Sequence, residues 1–298
     1  MRVFVTGASG FVGSAVVEAL IAGGHQVLGL VRSEAAAAAV AQAGAEVLRG
    51  TLEDLEGLRH GAASADAVVH TAFNHDFSKF AQNCELDRRA IDALGGALKG
   101  SGRRLIVTSG LGNLAAGGGL ATESARVRSD ANAYPRVSEA TCLQWLDKGV
   151  HAMVMRLPPS VHGRGDHGFV PILVGIARDK GVSGCVGEGT NRWPAVHRRD
   201  AAQAYRLALE QGGAGACFHA VAEEGIPLRE IAGAIGQGLA LPVVGIPAQE
   251  VGAHFGWFAM FAGMDVPASS AQTRAQLGWV PREAGLLADM AASGYFGT

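Results

Sequence analysis

With 298 residues, 48% of them apolar and 17% charged, the chain has far too much burial capacity for a disordered protein. A net charge of −2, with basic residues dispersed apart from short pairs such as Arg103-Arg104 and Arg198-Arg199, excludes the basic stripe that nucleic acid needs. The cysteines Cys84, Cys142, Cys185 and Cys217 form no CxxC and no histidine pair has ligand spacing, which argues against a disulfide frame or a metal site.

The first predicted strand, 2–6, runs into Gly7-Ala8-Ser9-Gly10-Phe11-Val12-Gly13 and then a helix at 11–22. Only Arg2 precedes this apolar run and its glycines interrupt it, so it is not read as a signal peptide. Any α/β protein can carry a glycine turn, but strand, GxxGxxG and helix in immediate succession point to a dinucleotide. Gly7 permits the tight turn, Gly10 lets a pyrophosphate approach the backbone, and Gly13 lets the helix pack on the strand. The phosphates would sit at the helix N-terminus, where unpaired N–H groups favour anions.

A second strand, 26–31, ends at Val31-Arg32-Ser33. An acidic residue here would bind a ribose 2′-hydroxyl, whereas a guanidinium and a hydroxyl can hold a 2′-phosphate. Arg32 also suits a solvated strand end, but the pair points to NADP(H) as cofactor. Strands at 46–48, 67–70, 104–108 and 151–156 follow, with helices at 34–43, 79–98 and 135–147. Such alternation builds a parallel sheet with helices on both faces.

After Arg156 the rhythm breaks at Pro158-Pro159, Gly163, Gly165 and Gly168. A strand at 195–197, a helix from an Asp200 N-cap to about Gln211, a strand at 217–221 and a last helix at 286–292 are expected. The apolar stretch at 255–264 is too short to span a bilayer, so a cytoplasmic protein with no membrane or nucleic-acid partner is expected. The partition read here gives residues 1–158 with 193–223 to a Rossmann-type doubly wound α/β domain. Residues 159–192 with 224–298 then form a smaller, mostly helical substrate-binding lobe.

Several later segments act together. They are Val68-Val69-His70-Thr71-Ala72, Val107-Thr108-Ser109, Tyr134, 156–163 (RLPPSVHG), 196–200 (VHRRD) and 277–281 (LGWVP). With the glycine turn they resemble the extended or atypical short-chain dehydrogenase/reductase superfamily, of the NAD-dependent epimerase/dehydratase type, over nearly the whole chain. The resemblance implies a cofactor site of Thr6, Gly7, Ser9, Gly10, Phe11, Val12, Gly13, Thr71, Ala72, Phe73, Tyr134, Pro158, Pro159, Ser160 and Val161, with Arg32 and Ser33 at its far end. It also implies that Ser109 and Tyr134 are catalytic. Two departures stand out: Ser138 replaces the lysine four residues after Tyr134, and Asp87 replaces an active-site Asn. Thr51 also stands where many relatives carry an Asp facing the adenine.

Ser109 and Tyr134 suit donation to a carbonyl oxygen during hydride transfer, and a neutral phenol is already an acid. Ser138, one helical turn after Tyr134, can hydrogen-bond but carries no charge. Tyr134-Pro135 fits equally the opening of a helix, with Pro at its first position. Asp87 shares a helical stripe with Ile91, Leu94 and Leu98 and is expected to face inward, as a catalytic group or as a structural partner. Loops after the fourth and sixth strands bring His75, Asp76, His162, Asp166 and His167 to the carboxyl ends of strands, where such sheets bind ligands. Asp76 and Asp166 fit turn formation equally well. Trp193, Phe255, Trp257, Phe258 and Phe261 fit an apolar substrate pocket, core packing or the surface of a homodimer.

The sequence thus leads to an NADPH-dependent reductase of a C=O or C=N bond in a small, largely apolar substrate. Loss of the lysine, with Asp76, Asp87 or Asp166 nearby, suggests that cyclic imines are reduced at least as well as ketones. A nucleotide-sugar epimerase or dehydratase and a non-catalytic cofactor sensor of the NmrA type are the rival readings.

Overall fold

Why the N-terminal half forms a layered sheet is visible in its strands, which are apolar on both faces. The computed structural model describes residues 1–112, 114, 119–126 and 135–297. In its first half β1 (Arg2–Thr6), β2 (Gln26–Val31), β3 (Glu46–Arg49), β4 (Ala67–His70), β5 (Arg104–Gly110) and β6 (His151–Leu157) alternate with helices. These helices are α1 (Phe11–Ala22), α2 (Glu34–Gln42), α3 (Leu55–Ala63), α4 (Phe80–Leu98) and α5 (Ser138–Leu143). Alternate residues of one strand feed opposite layers. Val3 and Val5 join Val69 and Ile106 in the core under α1, while Phe4 joins Val68, Leu105 and Val107 in the core under α3 and α4.

The second half contributes β7 (Ser160–His162), α6 (Phe169–Lys180), β8 (Ser183–Val186), β9 (Arg192–His197), α7 (Arg198–Gln211) and β10 (Cys217–His219). It continues with β11 (Glu223–Pro227), α8 (Leu228–Leu239), β12 (Val243–Ile246), α9 (Val251–Phe255), α10 (Ala259–Ala262), α11 (Ala271–Leu277) and α12 (Leu286–Ala292). The main sheet runs β10-β6-β5-β4-β1-β2-β3, with every pairing parallel. Strand order reverses between β1 and β4, the switch point at which doubly wound sheets open a ligand crevice. Thr6 lies beside His70, and His70 beside Val107, so the ends of β1, β4 and β5 share one edge.

A third core joins Val170, Leu173, Trp193, Ile226, Leu228, Phe258, Leu286 and Met290. Beside the main sheet lie a three-stranded sheet in the order β11-β9-β7 and the pair β8 and β12. No described helix is long and apolar enough to cross a membrane.

Local details differ from the expectations. Asp200 does not cap α7. The helix begins at Arg198 under the His197 ring, and Asp200 in its first turn accepts from the amides of Arg282 and Glu283 at 2.9 and 3.0 Å. It therefore ties the 277–281 segment down, helped by its carbonyl, which accepts from the Trp279 indole at 2.9 Å. The helix expected at 135–147 begins only at Ser138 and ends at Leu143, followed by a short 3-10 turn. Pro135 is thus not a first helical residue; Ser138 opens α5, and Tyr134 lies outside the described residues.

Candidate functional site

The glycine turn is shaped by contacts that exclude side chains. Gly7 has φ +70°, and a Cβ there would stand 2.8 Å from the Ala72 amide nitrogen beyond β4. A Cβ on Gly13 would lie 2.0 Å from the Gly7 carbonyl oxygen, so only glycine lets α1 start this close to the turn. Gly10 meets nothing but that same carbonyl oxygen, at 3.1 Å. Among the described residues no side chain caps α1, which leaves its first amides to an anion. These are the features that a dinucleotide pyrophosphate requires. Phe11 adds a wall, with the Arg198 guanidinium 4.9 Å from its ring centre and the His167 ring edge-on at 5.7 Å.

At the far end, Arg32 and Ser33 are exposed where β2 meets α2. The Ser33 hydroxyl oxygen caps α2 by accepting from the Ala36 amide at 3.2 Å, leaving its proton for a ligand. Glu53, missed in the sequence, is held below the usual carboxylate range by a hydrogen bond from Thr51 and, more weakly, by the charge of Arg32.

Beneath the turn runs a chain of polar side chains. Thr71 Oγ1 donates to the Thr6 carbonyl at 2.8 Å, and Thr6 Oγ1 lies 2.7 Å from His70 Nδ1. His70 Nε2 lies 3.0 Å from Asp87 Oδ1, while Ser138 Oγ donates to Asp87 Oδ2 at 2.5 Å. Arg136 Nε donates to Ser138 Oγ at 3.0 Å. Thr6, His70, Asp87 and Ser138 are all buried. Burial alone would raise the pKa of Asp87, but the bonds from His70 and Ser138 and the charges of His70 and Arg136 prevail and hold it low. Asp87 is therefore a carboxylate. His70 Nε2 must donate to it, which leaves Nδ1 facing the Thr6 hydroxyl.

Arg136 was not singled out in the sequence. Its Nη2 donates to the Thr108 carbonyl at 3.3 Å, and its guanidinium lies 4.1 Å from the centre of the Phe73 ring. Thr108 Oγ1 donates to the His70 carbonyl at 2.7 Å and meets the buried Tyr205 hydroxyl at 2.6 Å. Next to it Ser109 is buried, and its hydroxyl has no partner among the described residues. Tyr134 lies outside the described residues.

The loops after β4 and β7 do face one another: His75 is exposed as a residue, yet desolvation first, then Arg136 and His167, lower its pKa to about 4. It stays neutral, edge-on to Phe73 and Phe77. Phe77 in turn stacks on exposed Trp257 at 5.2 Å and meets Phe261 edge-on at 5.3 Å. An apolar wall thus borders the strand ends.

Other candidates have different work. Trp193 is fully buried between Phe169 and Phe258, its indole donating to the Met264 carbonyl, so it backs the wall instead of facing a ligand. His162 is also buried, with Nδ1 2.9 Å from Asp289. Asp166 accepts from the Gly168 amide and the Tyr295 hydroxyl, and Asp76 accepts from the Ser78 amide and hydroxyl. Both are turn formers. Ser160 and Val161 belong to β7, after Pro158 and Pro159, and the Ser160 hydroxyl is buried without a partner among the described residues. A surface hollow of about 610 Å³ lies on the helical layer over α1 and α7, lined by Glu18, Arg206 and Trp279 among others, and not at the strand ends.

Residues 3–221 match the model of the NAD-dependent epimerase/dehydratase family. An uncharacterized protein of Schizosaccharomyces pombe is 50% identical over 297 residues, covering 99% of this chain and 100% of the relative. A 4-hydroxy-2-methyl-3-oxo-4-farnesyl-3,4-dihydroquinoline-1-oxide ketoreductase of Stigmatella aurantiaca is 31% identical over 285 residues, 90% of this chain and 84% of the relative. In fold, the chain is similar to DesIV, a dTDP-glucose 4,6-dehydratase from Streptomyces venezuelae solved with NAD bound. The TM-score is 0.77 at 22% identity, covering 98% of this chain and 95% of that one.

Proposed function

The chain belongs to the NAD-dependent epimerase/dehydratase family, and from that premise we propose that it is an NADPH-dependent reductase of a C=O bond in a small, largely apolar substrate. The observation that carries this reading is the buried Ser109 hydroxyl, unpartnered among the described residues, one residue beyond the Thr108 that binds Arg136. A buried hydroxyl without a partner is costly unless a ligand uses it. A carbonyl oxygen is such a ligand, and the Phe73, Phe77 and Trp257 wall suits an apolar body attached to it. The Stigmatella relative, named for a ketone carrying a farnesyl group, supports the same substrate class.

When bound, the cofactor supplies hydride. The protein's own residues cradle its pyrophosphate at the glycine turn and present hydrogen-bond donors where the carbonyl oxygen gains charge. Reduction of C=N, equally open from the sequence, loses ground. The carboxylates invoked to favour it are engaged elsewhere: Asp87 by His70 and Ser138, Asp76 by Ser78, and Asp166 by Gly168 and Tyr295. NADPH over NADH rests on Arg32 and Ser33. The Ser138 position counts against sugar oxidation, which needs a readily formed tyrosinate.

The test is to mix the protein with NADPH or NADH and a panel of apolar ketones, matched imines and nucleotide sugars, following nicotinamide absorbance. Ketone reduction with NADPH is expected to be fastest. Tight NADPH binding with no turnover of any substrate would overturn the reductase reading in favour of a sensor.

A further inference from the structure

We propose that Arg198 is a further cofactor-binding residue, a cation that the second half of the chain delivers to the dinucleotide pyrophosphate at the N-terminus of α1. The inference rests on the cofactor part of the reading above and not on turnover.

Three contacts place this half-buried side chain. Its Nη2 donates to Ser14 Oγ near the start of α1 at 3.2 Å. Ser14 gives its own proton to the Phe11 carbonyl at 3.4 Å, so its oxygen keeps lone pairs for the guanidinium. The guanidinium also lies 4.9 Å from the centre of the Phe11 ring, and Phe11 is the first residue of α1. Finally, the arginine stem passes Gly163, where a Cβ would stand 3.1 Å from Arg198 Cγ and 3.2 Å from Cδ. With φ at +139° as well, that position suits glycine, and it opens a path for the side chain from α7 to α1.

For the protein alone this is a poor place for a positive charge. Arg198 opens α7 and lies against the opening of α1, so it meets the positive ends of two helix dipoles. Its described side-chain contacts are a hydroxyl and an aromatic face, and among the described residues no carboxylate pairs with it. Asp200, the acid in the first turn of α7, directs its two oxygens to the amides of Arg282 and Glu283. A mere tie between α1 and α7 needs a neutral donor and gains nothing from a cation here. An anion at the uncapped amides of α1 reverses the balance, because both dipoles and the guanidinium then attract it. The glycine turn brings backbone amides to the pyrophosphate, and Arg198 adds charge-assisted donors from another part of the chain. Its role differs from that of Arg32 at the far end of the cleft: Arg32 distinguishes NADPH from NADH, whereas Arg198 serves the group that both share.

The experiment measures dissociation constants of NADPH, NADH and ADP-ribose for the parent, Arg198→Gln, Arg198→Lys and Arg32→Ala. Nicotinamide fluorescence reads the first two ligands, and competition against NADPH reads the third. Arg198→Gln keeps a donor for Ser14 and should weaken all three ligands by one common factor, about tenfold to a hundredfold, as for a lost hydrogen bond to a charged group. Arg198→Lys should recover part of that loss. Arg32→Ala should instead weaken NADPH alone. Added salt should weaken NADH more in the parent than in Arg198→Gln.

Urea melts without cofactor give a second readout. Arg198→Gln should unfold at or above the parent's midpoint, since it removes a cation from two helix N-termini. Parent-like affinities in Arg198→Gln, or a loss confined to NADPH, would overturn the assignment. A lowered midpoint with parent-like affinities would make Arg198 a structural tie between α1 and α7. If the parent binds both cofactors through Arg198 but reduces no carbonyl, the reductase reading fails and this assignment stands.

Discussion

Arg32 and Glu53 set opposite charges at the end of the cleft where an adenosine ribose would lie. If Arg32 binds a 2′-phosphate, Arg32→Ala should weaken NADPH by about 1–3 kcal/mol, as for a lost charged hydrogen bond, and leave NADH almost unchanged. Glu53→Gln should act the other way and tighten NADPH several-fold by removing like-charge repulsion. Titrating both cofactors into the three proteins by nicotinamide fluorescence reads both effects. Equal affinities for NADPH and NADH in the parent would sink the preference. Tyr134→Phe should lower ketone reduction at least about a hundredfold without changing NADPH affinity. A parent-like rate would mean that the proton comes from elsewhere, and neutral His75 is then the next group to replace.

Elements differ in how much they tolerate. A methyl group on Gly13 would collide with a backbone oxygen that cannot move without breaking the turn, so Gly13→Ala should cost about 3 kcal/mol and abolish cofactor binding. Gly175, in the middle of α6, meets nothing within 4 Å, and Gly175→Ala should instead stabilise by about 0.5–1 kcal/mol. Urea melts of the two variants, expected to move in opposite directions, check both.

The same elements show what a sequence reveals. The strands at 2–6, 26–31 and 67–70 and the helix at 11–22 have the expected bounds, because a doubly buried strand is a continuous apolar run and a glycine turn marks the next start. The helix α3 was missed because Gly57 and Gly61 dilute its pattern; Gly61 is there since a Cβ would strike the Phe4 ring. Strands β8 and β12 were missed because Gly184 and Gly245 interrupt four-residue runs. At the site, Asp87 and Ser138 attracted notice by departing from a known pattern, and they prove to be bonded to each other. Arg136 had no such signal, since a loop arginine acquires meaning only from what distant segments place around it.

Across the whole molecule, one buried cation links parts far apart in the chain. Arg156 on β6 is fully buried and pairs through two nitrogens with Glu139 on α5 at 2.8 and 2.6 Å. It also donates to the carbonyls of Glu123 and Ala125 and, at 3.0 Å, to His219 Nε2 on β10. Glu123 in turn accepts from the Thr273 amide and hydroxyl on α11. His219 can take part only when neutral, with Nδ1 donating to the Ser269 carbonyl at 2.7 Å and Nε2 accepting from Arg156. Burial first, and then Arg156, lower its pKa to about 4, against an ordinary 6.5. As pH falls below about 6.5 the unfolded chain takes up a proton that the folded chain refuses, so stability drops between about 6.5 and 4 and is fully present above that window. A shift of that size corresponds to a loss of about 3 kcal/mol by pH 4. His219→Gln keeps an amide donor and acceptor but cannot be protonated. It should be less stable than the parent at pH 7, through poorer packing, yet lose less stability on acidification. The comparison is the urea midpoint at pH 7 and pH 4.5 for both proteins. His75 contributes the same sign of loss in both, so only the difference between their pH slopes reports on His219. Equal slopes would mean that the Arg156 cluster survives protonation of His219, and that acid unfolding begins elsewhere.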